Sequence, residues 1–232
     1  MALKGRRAAA AALALLAACS AWGNDRPFQV GRTAVMEDDE YVWSIETWAQ
    51  RYGSVRGLSF EPEYTFGNGF SIQGELTRLR DRAGAETGHE AEVEFKQLFN
   101  HIGRDGWGLG LSAAFGTARS RGEGSVRTVA LRLPLSVALG ASGGYVHVNV
   151  GVEKQTDQRR AWASSLAAEH EVYKRTLLFV ELARTGEQKF GQIGVRHWLR
   201  KEKLALDFSL QQHRADGVRA SGFILGLGLY DL

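Results

Sequence analysis

The chain has 232 residues, 29 Lys and Arg against 26 Asp and Glu, and 44% hydrophobic residues, which fits one large domain or two small ones. Gly is abundant at 28 and Pro scarce at 3, a balance that suits paired strands, and the only cysteine, Cys19, excludes an internal disulfide. Beyond the N-terminus no stretch approaches the roughly eighteen consecutive apolar residues that mark a helical membrane span.

Residues 1–23 have the form of a cleaved export signal. Lys4, Arg6 and Arg7 make a basic start, Ala8 to Ala18 an Ala/Leu stretch, and small residues come next, with cleavage expected after Ala21 or Gly23. At about eleven residues the apolar stretch is short of the twenty or so that span a bilayer. Leu16-Ala17-Ala18-Cys19 also resembles a lipobox, so acylation of Cys19 is the alternative processing route. Removing the signal subtracts three basic residues and leaves 26 against 26, so the net charge gives no support to a nucleic-acid partner. Residues 24–39 are polar and are expected to form a periplasmic N-terminal segment, or to fold into the mouth of the domain formed by residues 40–232.

From residue 40 to 232 the dominant pattern is alternation with period two. Leu58, Phe60, Tyr64 and Phe66 alternate with Ser59, Glu61, Glu63 and Thr65, and Gly67-Asn68-Gly69 then joins them to a second alternating run from Phe70 to Thr77, which reads as a hairpin. Ala91, Val93 and Phe95 oppose Glu90, Glu92, Glu94 and Lys96. Trp107, Leu109, Leu111, Ala113 and Phe115 oppose small residues, with Gly on the inward side where space or curvature is needed. The strongest strand runs from Thr128 to Leu139; Tyr145 to Glu153 and Leu204 to Gln211 repeat its rule. Weaker strands are expected near 40–52, 160–169, 175–184, 189–199 and 221–231, about twelve in all. Long charged links are expected at 79–89, 117–125, 153–160 and 212–220, and tight ones at 67–69, 140–144 and 200–203.

An export signal before an even number of strands long enough to cross hydrocarbon favours a membrane barrel over a soluble sandwich, because in lipid only closure pairs every backbone group. The expected fold is therefore all-β, a transmembrane antiparallel up-and-down β-barrel in the bacterial outer membrane. Trp43, Trp107, Trp162 and Trp198, with Trp48, Tyr52 and Tyr230, lie near strand ends and are expected to mark the bilayer interface. The final strand, Leu225 to Leu232, resembles the C-terminal signal of barrel assembly, which makes the assembly machinery and outer-membrane lipid the expected partners. Oligomeric state is left open.

The polar parity of the strands carries the candidate site. Glu46, Glu61, Glu63, Glu75, Glu90, Glu92, Glu94, Lys96, Glu169, Glu181 and Asp207 would line an acidic lumen, cross-linked by Arg78, Arg132 and Arg196. Rings of charge select solutes in channels; the same residues could equally fill a narrow barrel with ion pairs. The six histidines show no metal-ligand spacing, and neither metal nor cofactor is expected. Ser164 or Ser165 with Glu169 and His170 is the nearest grouping to a hydrolytic triad, so a lipid-modifying enzyme is the weakest alternative and no catalytic residue is assigned. The glycines of 106–110 and 226–228 alternate with apolar residues and open no helix, unlike a phosphate loop.

Arg26-Pro27-Phe28, Glu37-Asp38-Asp39 and Ser44-Ile45-Glu46-Thr47-Trp48 resemble the N-terminal region of the proteobacterial barrels loosely grouped as phenol-degradation MetA-pathway proteins. Glu92-Val93-Glu94-Phe95-Lys96 followed by Gly106-Trp107-Gly108-Leu109-Gly110 looks like a later hairpin of that group, whereas Gly31-Arg32-Thr33 stands where the group has Thr-Asp-Asp. The resemblance implies an outer-membrane barrel passing small, hydrophobic or aromatic molecules; a non-transport binding barrel with a filled lumen is the alternative.

Overall fold

The computed structural model describes residues 27–35, 41–81, 87–120, 124–140, 143–156, 158–215 and 217–232. Residues 1–23, expected to be an export signal, and Cys19 within them lie outside these residues. Twelve strands succeed one another: β1 (Val42–Tyr52), β2 (Val55–Phe66), β3 (Phe70–Asp81), β4 (Thr87–Leu98), β5 (Trp107–Ser120), β6 (Ser125–Ala138), β7 (Gly144–Gln155), β8 (Ala161–Tyr173), β9 (Thr176–Thr185), β10 (Gln188–Arg200), β11 (Leu204–Ala215) and β12 (Val218–Leu229). One short helix, α1 (Ile102–Asp105), lies between β4 and β5. There the exposed Asp105 carboxyl is held down at about 2, chiefly by the hydrogen bond from the Arg104 side chain.

Each strand pairs antiparallel with its sequence neighbours, and β1 pairs β12 from Ile45 opposite Leu229 to Tyr52 opposite Gly222, so the sheet is a closed up-and-down barrel without an edge. Closure matters because an unpaired strand edge in hydrocarbon would leave backbone groups with no partner. The turn after β2 supplies its own geometry: Asn68 and Gly69 have φ of 64° and 73°, the left-handed pair that matches strand twist in a tight hairpin.

One parity of every strand faces out and is largely apolar along the middle of the barrel. Leu58 and Phe60 on β2, Leu131, Leu133 and Leu135 on β6, Leu178, Val180 and Leu182 on β9, and Leu206, Phe208 and Leu210 on β11 are all exposed. In water that much contiguous apolar surface would be a liability, and in a bilayer it is the lipid face. The buried apolar clusters are correspondingly small: Tyr52, Val55 and Leu79 form one, while Phe28 with Ala167 and Phe179, and Val30 with Ala183 and Phe190, form two more.

The links differ from expectation. At the end away from the start of β1 they span only 53–54, 82–86, 121–124, 156–160, 186–187 and 216–217, and the longest link, 99–106 with α1, is at the end where β1 begins and β12 finishes. Arg80, Arg119, Lys154, Arg214 and Arg219, assigned to long loops, are strand residues pointing outward, while Asp81 and Glu153 are strand residues buried inward, and the ladder extends through this region: Arg80 pairs with Thr87, and Arg119 with Ser125.

Candidate functional site

The alternation that sends leucines and valines out sends charge in. Glu46, Glu61, Glu75, Glu90, Glu92, Glu94, Lys96, Arg132, Glu181, Arg196 and Asp207 are buried, and Glu63 is half-buried, all on the inward parity of β1, β2, β3, β4, β6, β9, β10 and β11. The acids concentrate on β1 to β4, where register sets Glu46 opposite Glu61 and Glu75 opposite Glu92. Arg78 does not join them: it has the outward parity of β3 and is exposed, because Thr77 and Leu79 take the inward positions. Arg132 reaches Glu153 at 3.4 Å, Lys96 lies 3.9 Å from Glu63, and Gln73 donates to Glu61. Arg196 grips Asp207 with two bonds of 2.9 and 3.1 Å and reaches Glu46 at 3.3 Å, while the Tyr230 hydroxyl donates to Glu46.

The interior is occupied by the chain's own N-terminal segment. Residues 27–34 are buried inside the barrel as a strap across the lumen, so for this stretch the periplasmic placement gives way to the alternative in which the segment folds into the domain; residues 24–26 and 36–39 lie outside the described residues. Glu181 on β9 accepts the backbone N–H groups of Gln29 at 2.8 Å, Val30 at 3.0 Å and Gly31 at 2.5 Å. Asn149 on β7 brackets Arg32, accepting from its N–H at 3.1 Å and donating to its carbonyl at 2.9 Å. The Arg32 guanidinium, 1% exposed, forms a charge-assisted fork with Glu94 on β4 and lies 3.8 Å from Glu92. Ser136 on β6 accepts from the Ala34 N–H at 2.7 Å, and Gln192 on β10 donates to the Pro27 carbonyl at 3.2 Å. Phe28 packs edge-on against Phe179 and beside His147, whose Nδ1 is 2.8 Å from the Ser136 hydroxyl.

Two glycines make this fit. A Cβ on Gly108 would lie 2.1 Å from the Ala34 carbonyl oxygen, and one on Gly31 would lie 2.9 Å from the Ser165 hydroxyl. The inward face of β5 is Gly108, Gly110, Ser112, Ala114, Gly116 and Ala118, all small, and at its Gly108 end Ala34 of the strap lies against it. Gly108→Val is therefore expected to expel Ala34 while leaving the β4–β5 and β5–β6 ladders paired. Limited proteolysis of the folded barrel should then cut within residues 27–35, which the parent protects; equal protection would refute the close approach.

The aromatic residues divide. Trp43, Trp107 and Trp162 point outward and are exposed. Trp198 instead has the inward parity of β10, with the Arg196 guanidinium 5.5 Å from its ring and the Tyr230 ring tilted against it at 5.3 Å, so it belongs to the lumen mouth and not the lipid interface. Trp48, Tyr52 and Tyr230 are buried inward as well. Cross-strand register decides this, and proximity to a strand end does not reveal it.

No triad forms around His170. It points outward, while Ser165 and Glu169 point inward, and five residues of strand separate Ser165 from His170, about 17 Å. Ser164 shares the outward face but stands six residues away along β8. Among the described residues no group of three His, Cys, Asp or Glu is arranged to hold a metal ion.

No family model matches the chain, and no curated protein does either, so the resemblance to the MetA-pathway group rests on the quoted motifs alone. Solved structures share the fold. The KdgM porin, determined in complex with disordered oligogalacturonate, superposes with a TM-score of 0.60 at 11% identity over 82% of this chain and 99% of that one. The COG4313 outer membrane channel from Pseudomonas putida F1 gives 0.61 at 13% identity over 82% and 96%. LpxR from Salmonella typhimurium gives 0.56 at 8% identity over 81% and 99%.

Proposed function

We propose that the chain is an outer-membrane channel for small polar solutes, delivered by the signal at 1–23 and closed by its own N-terminal strap. The fold it shares with the KdgM porin and the COG4313 channel supports this reading, although LpxR shares that fold too. The observation that carries this reading is how the strap is held. Its backbone and its one charge are satisfied by Glu94, Ser136, Asn149, Glu181 and Gln192, side-chain groups that water can replace, so it can leave without breaking a ladder. The wall it leaves is charged, and Glu61, Glu75, Glu90 and Glu92 give it an acidic side, which favours neutral or cationic solutes over acidic ones such as the oligogalacturonate bound by KdgM. A polar wall of this kind also disfavours the hydrophobic cargo implied by the MetA-pathway resemblance.

Planar-bilayer conductance tests the reading. The full chain should conduct rarely and a variant lacking residues 27–35 steadily, with cations preferred. A folded, strap-deleted barrel that never conducts would sink the channel and leave the second reading, a binding barrel with a filled lumen. That alternative is supported by the burial of Phe28 and Arg32 at 0% and 1%.

A further inference from the structure

On the outward parity of the strands, Arg and Lys side chains gather at one end of the barrel. Arg51, Arg56, Arg78, Arg80, Arg119, Arg127, Lys154, Arg184, Lys189, Arg214 and Arg219 are all exposed on the outward parity of their strands, within three residues of the strand ends opposite the start of β1 and the finish of β12. Strands β4 and β8 complete the circle with the outward His89 and with Arg159 and Arg160 just before β8. Three residues of strand are about 10 Å, so the belt is narrow. Leu58, Leu76, Val129 and Leu182 sit one outward position closer to mid-barrel than Arg56, Arg78, Arg127 and Arg184, which places the belt at the rim of the apolar band.

Register sets these cations side by side. Arg51 is opposite Arg56 and Arg56 opposite Arg80, Arg78 is opposite His89 and His89 opposite Arg119, and Arg184, Lys189, Arg214 and Arg219 form an unbroken row across β9 to β12. Like charges directly opposite destabilise a sheet, so the row asks for an external anion. Among the described residues none of the belt forms an ion pair. The polar contacts of its side chains are to uncharged groups, such as Arg184 to the Gly186 carbonyl at 2.7 Å and Arg51 to the Gly53 carbonyl at 3.3 Å. At the other end three cations have acidic partners, Arg104 with Asp105, Lys201 with Glu202 and Lys203 with Asp231, and Lys174, Arg175 and Arg200 are exposed beside them without forming a continuous row.

The first strand begins and the last strand ends at that second end, which in outer-membrane barrels faces the periplasm, so the belt lies at the level of the outer leaflet. We propose that it binds the phosphate groups of the leaflet's anionic glycolipid, lipopolysaccharide. Arg forks pair with phosphate oxygens in two parallel bonds, and the apolar band directly below would contact the acyl chains. The two contacts together specify a phosphorylated lipid, since free phosphate would use only the first.

Native mass spectrometry of the folded protein in detergent tests this with bisphosphorylated lipid A, dephosphorylated lipid A, phosphatidylglycerol and inorganic phosphate as probes. Bisphosphorylated lipid A is expected to bind about tenfold or more tighter than its dephosphorylated form, with R51Q/R56Q/R80Q and R184Q/K189Q/R214Q/R219Q each losing about tenfold and K201Q at the opposite end unchanged. Equal binding of the dephosphorylated lipid, parent-like binding by both multiple variants, equal binding of phosphatidylglycerol, or displacement by inorganic phosphate would each overturn the proposal. The comparison among probes uses the parent protein, so it stands even if a variant fails to fold.

Discussion

Glu181→Ala is expected to release residues 27–35 from the lumen while the barrel stays closed. The Glu181 carboxylate accepts three consecutive strap amides and the Gln192 side chain at 2.7 Å, and it is fully buried. Alanine would leave three buried donors without an acceptor, and each costs about 1–3 kcal/mol. Removing a buried charge offsets part of that. A net shift of roughly 3 kcal/mol is then expected, more than a hundredfold in the ratio of released to seated strap. The ladder is untouched, because Glu181 pairs through its backbone with Ala167 and Gln192. Hydrogen exchange at the Gln29, Val30 and Gly31 amides should accelerate by a similar factor with strand amides unchanged, and conductance should rise with it. Glu181→Gln keeps one carbonyl acceptor and should fall between the two. Unchanged exchange in the alanine variant would show that Arg32, Asn149 and Ser136 hold the strap by themselves.

The barrel is legible in the sequence because its physics is written in period two. Lipid outside and polar groups inside force alternation, so the strands around Thr128–Leu139 and Leu204–Gln211 and the inward parity of the glutamates can be read residue by residue. The strap is not legible, since residues 27–35 form no regular element and their placement depends on groups more than sixty residues away, such as Glu94 and Glu181. One signal of it exists: the glycine-rich inward face of β5, where space is limiting, is where Ala34 crosses Gly108. The basic belt is hidden for a related reason. Arg80, Arg119 and Arg214 look like loop residues to a rule that expects strands to end where hydrophobic alternation does, but a strand leaving the bilayer stays paired after its outward side chains turn polar. Trp198 defies the interface expectation because its parity is set by Arg196, two residues earlier, and not by its distance to the turn.

Arg196→Ala is expected to be the most destabilising single change in the barrel wall. Arg196 on β10 is joined to Asp207 on β11 and Glu46 on β1, and Glu46 receives the Tyr230 hydroxyl from the segment after β12. The guanidinium also lies over the rings of Trp198 and Tyr230, at 5.5 and 5.6 Å. One cation therefore spans the four strands that include the β1–β12 closure. Truncating it would leave two buried carboxylates without the fork between them, a loss of about 3–5 kcal/mol for a broken buried pair. Arg196→Lys should recover only part, since an ammonium cannot reproduce the two parallel bonds to Asp207. The folded band on a detergent gel should disappear at a clearly lower temperature for the alanine variant and an intermediate one for lysine. Combining Arg196→Met with Glu46→Gln and Asp207→Asn removes the stranded charges along with the fork, and should restore most of the parent's stability. If the triple variant instead melts as low as Arg196→Ala, what holds the seam is the guanidinium packed on Trp198 and Tyr230 and not the compensation of charge.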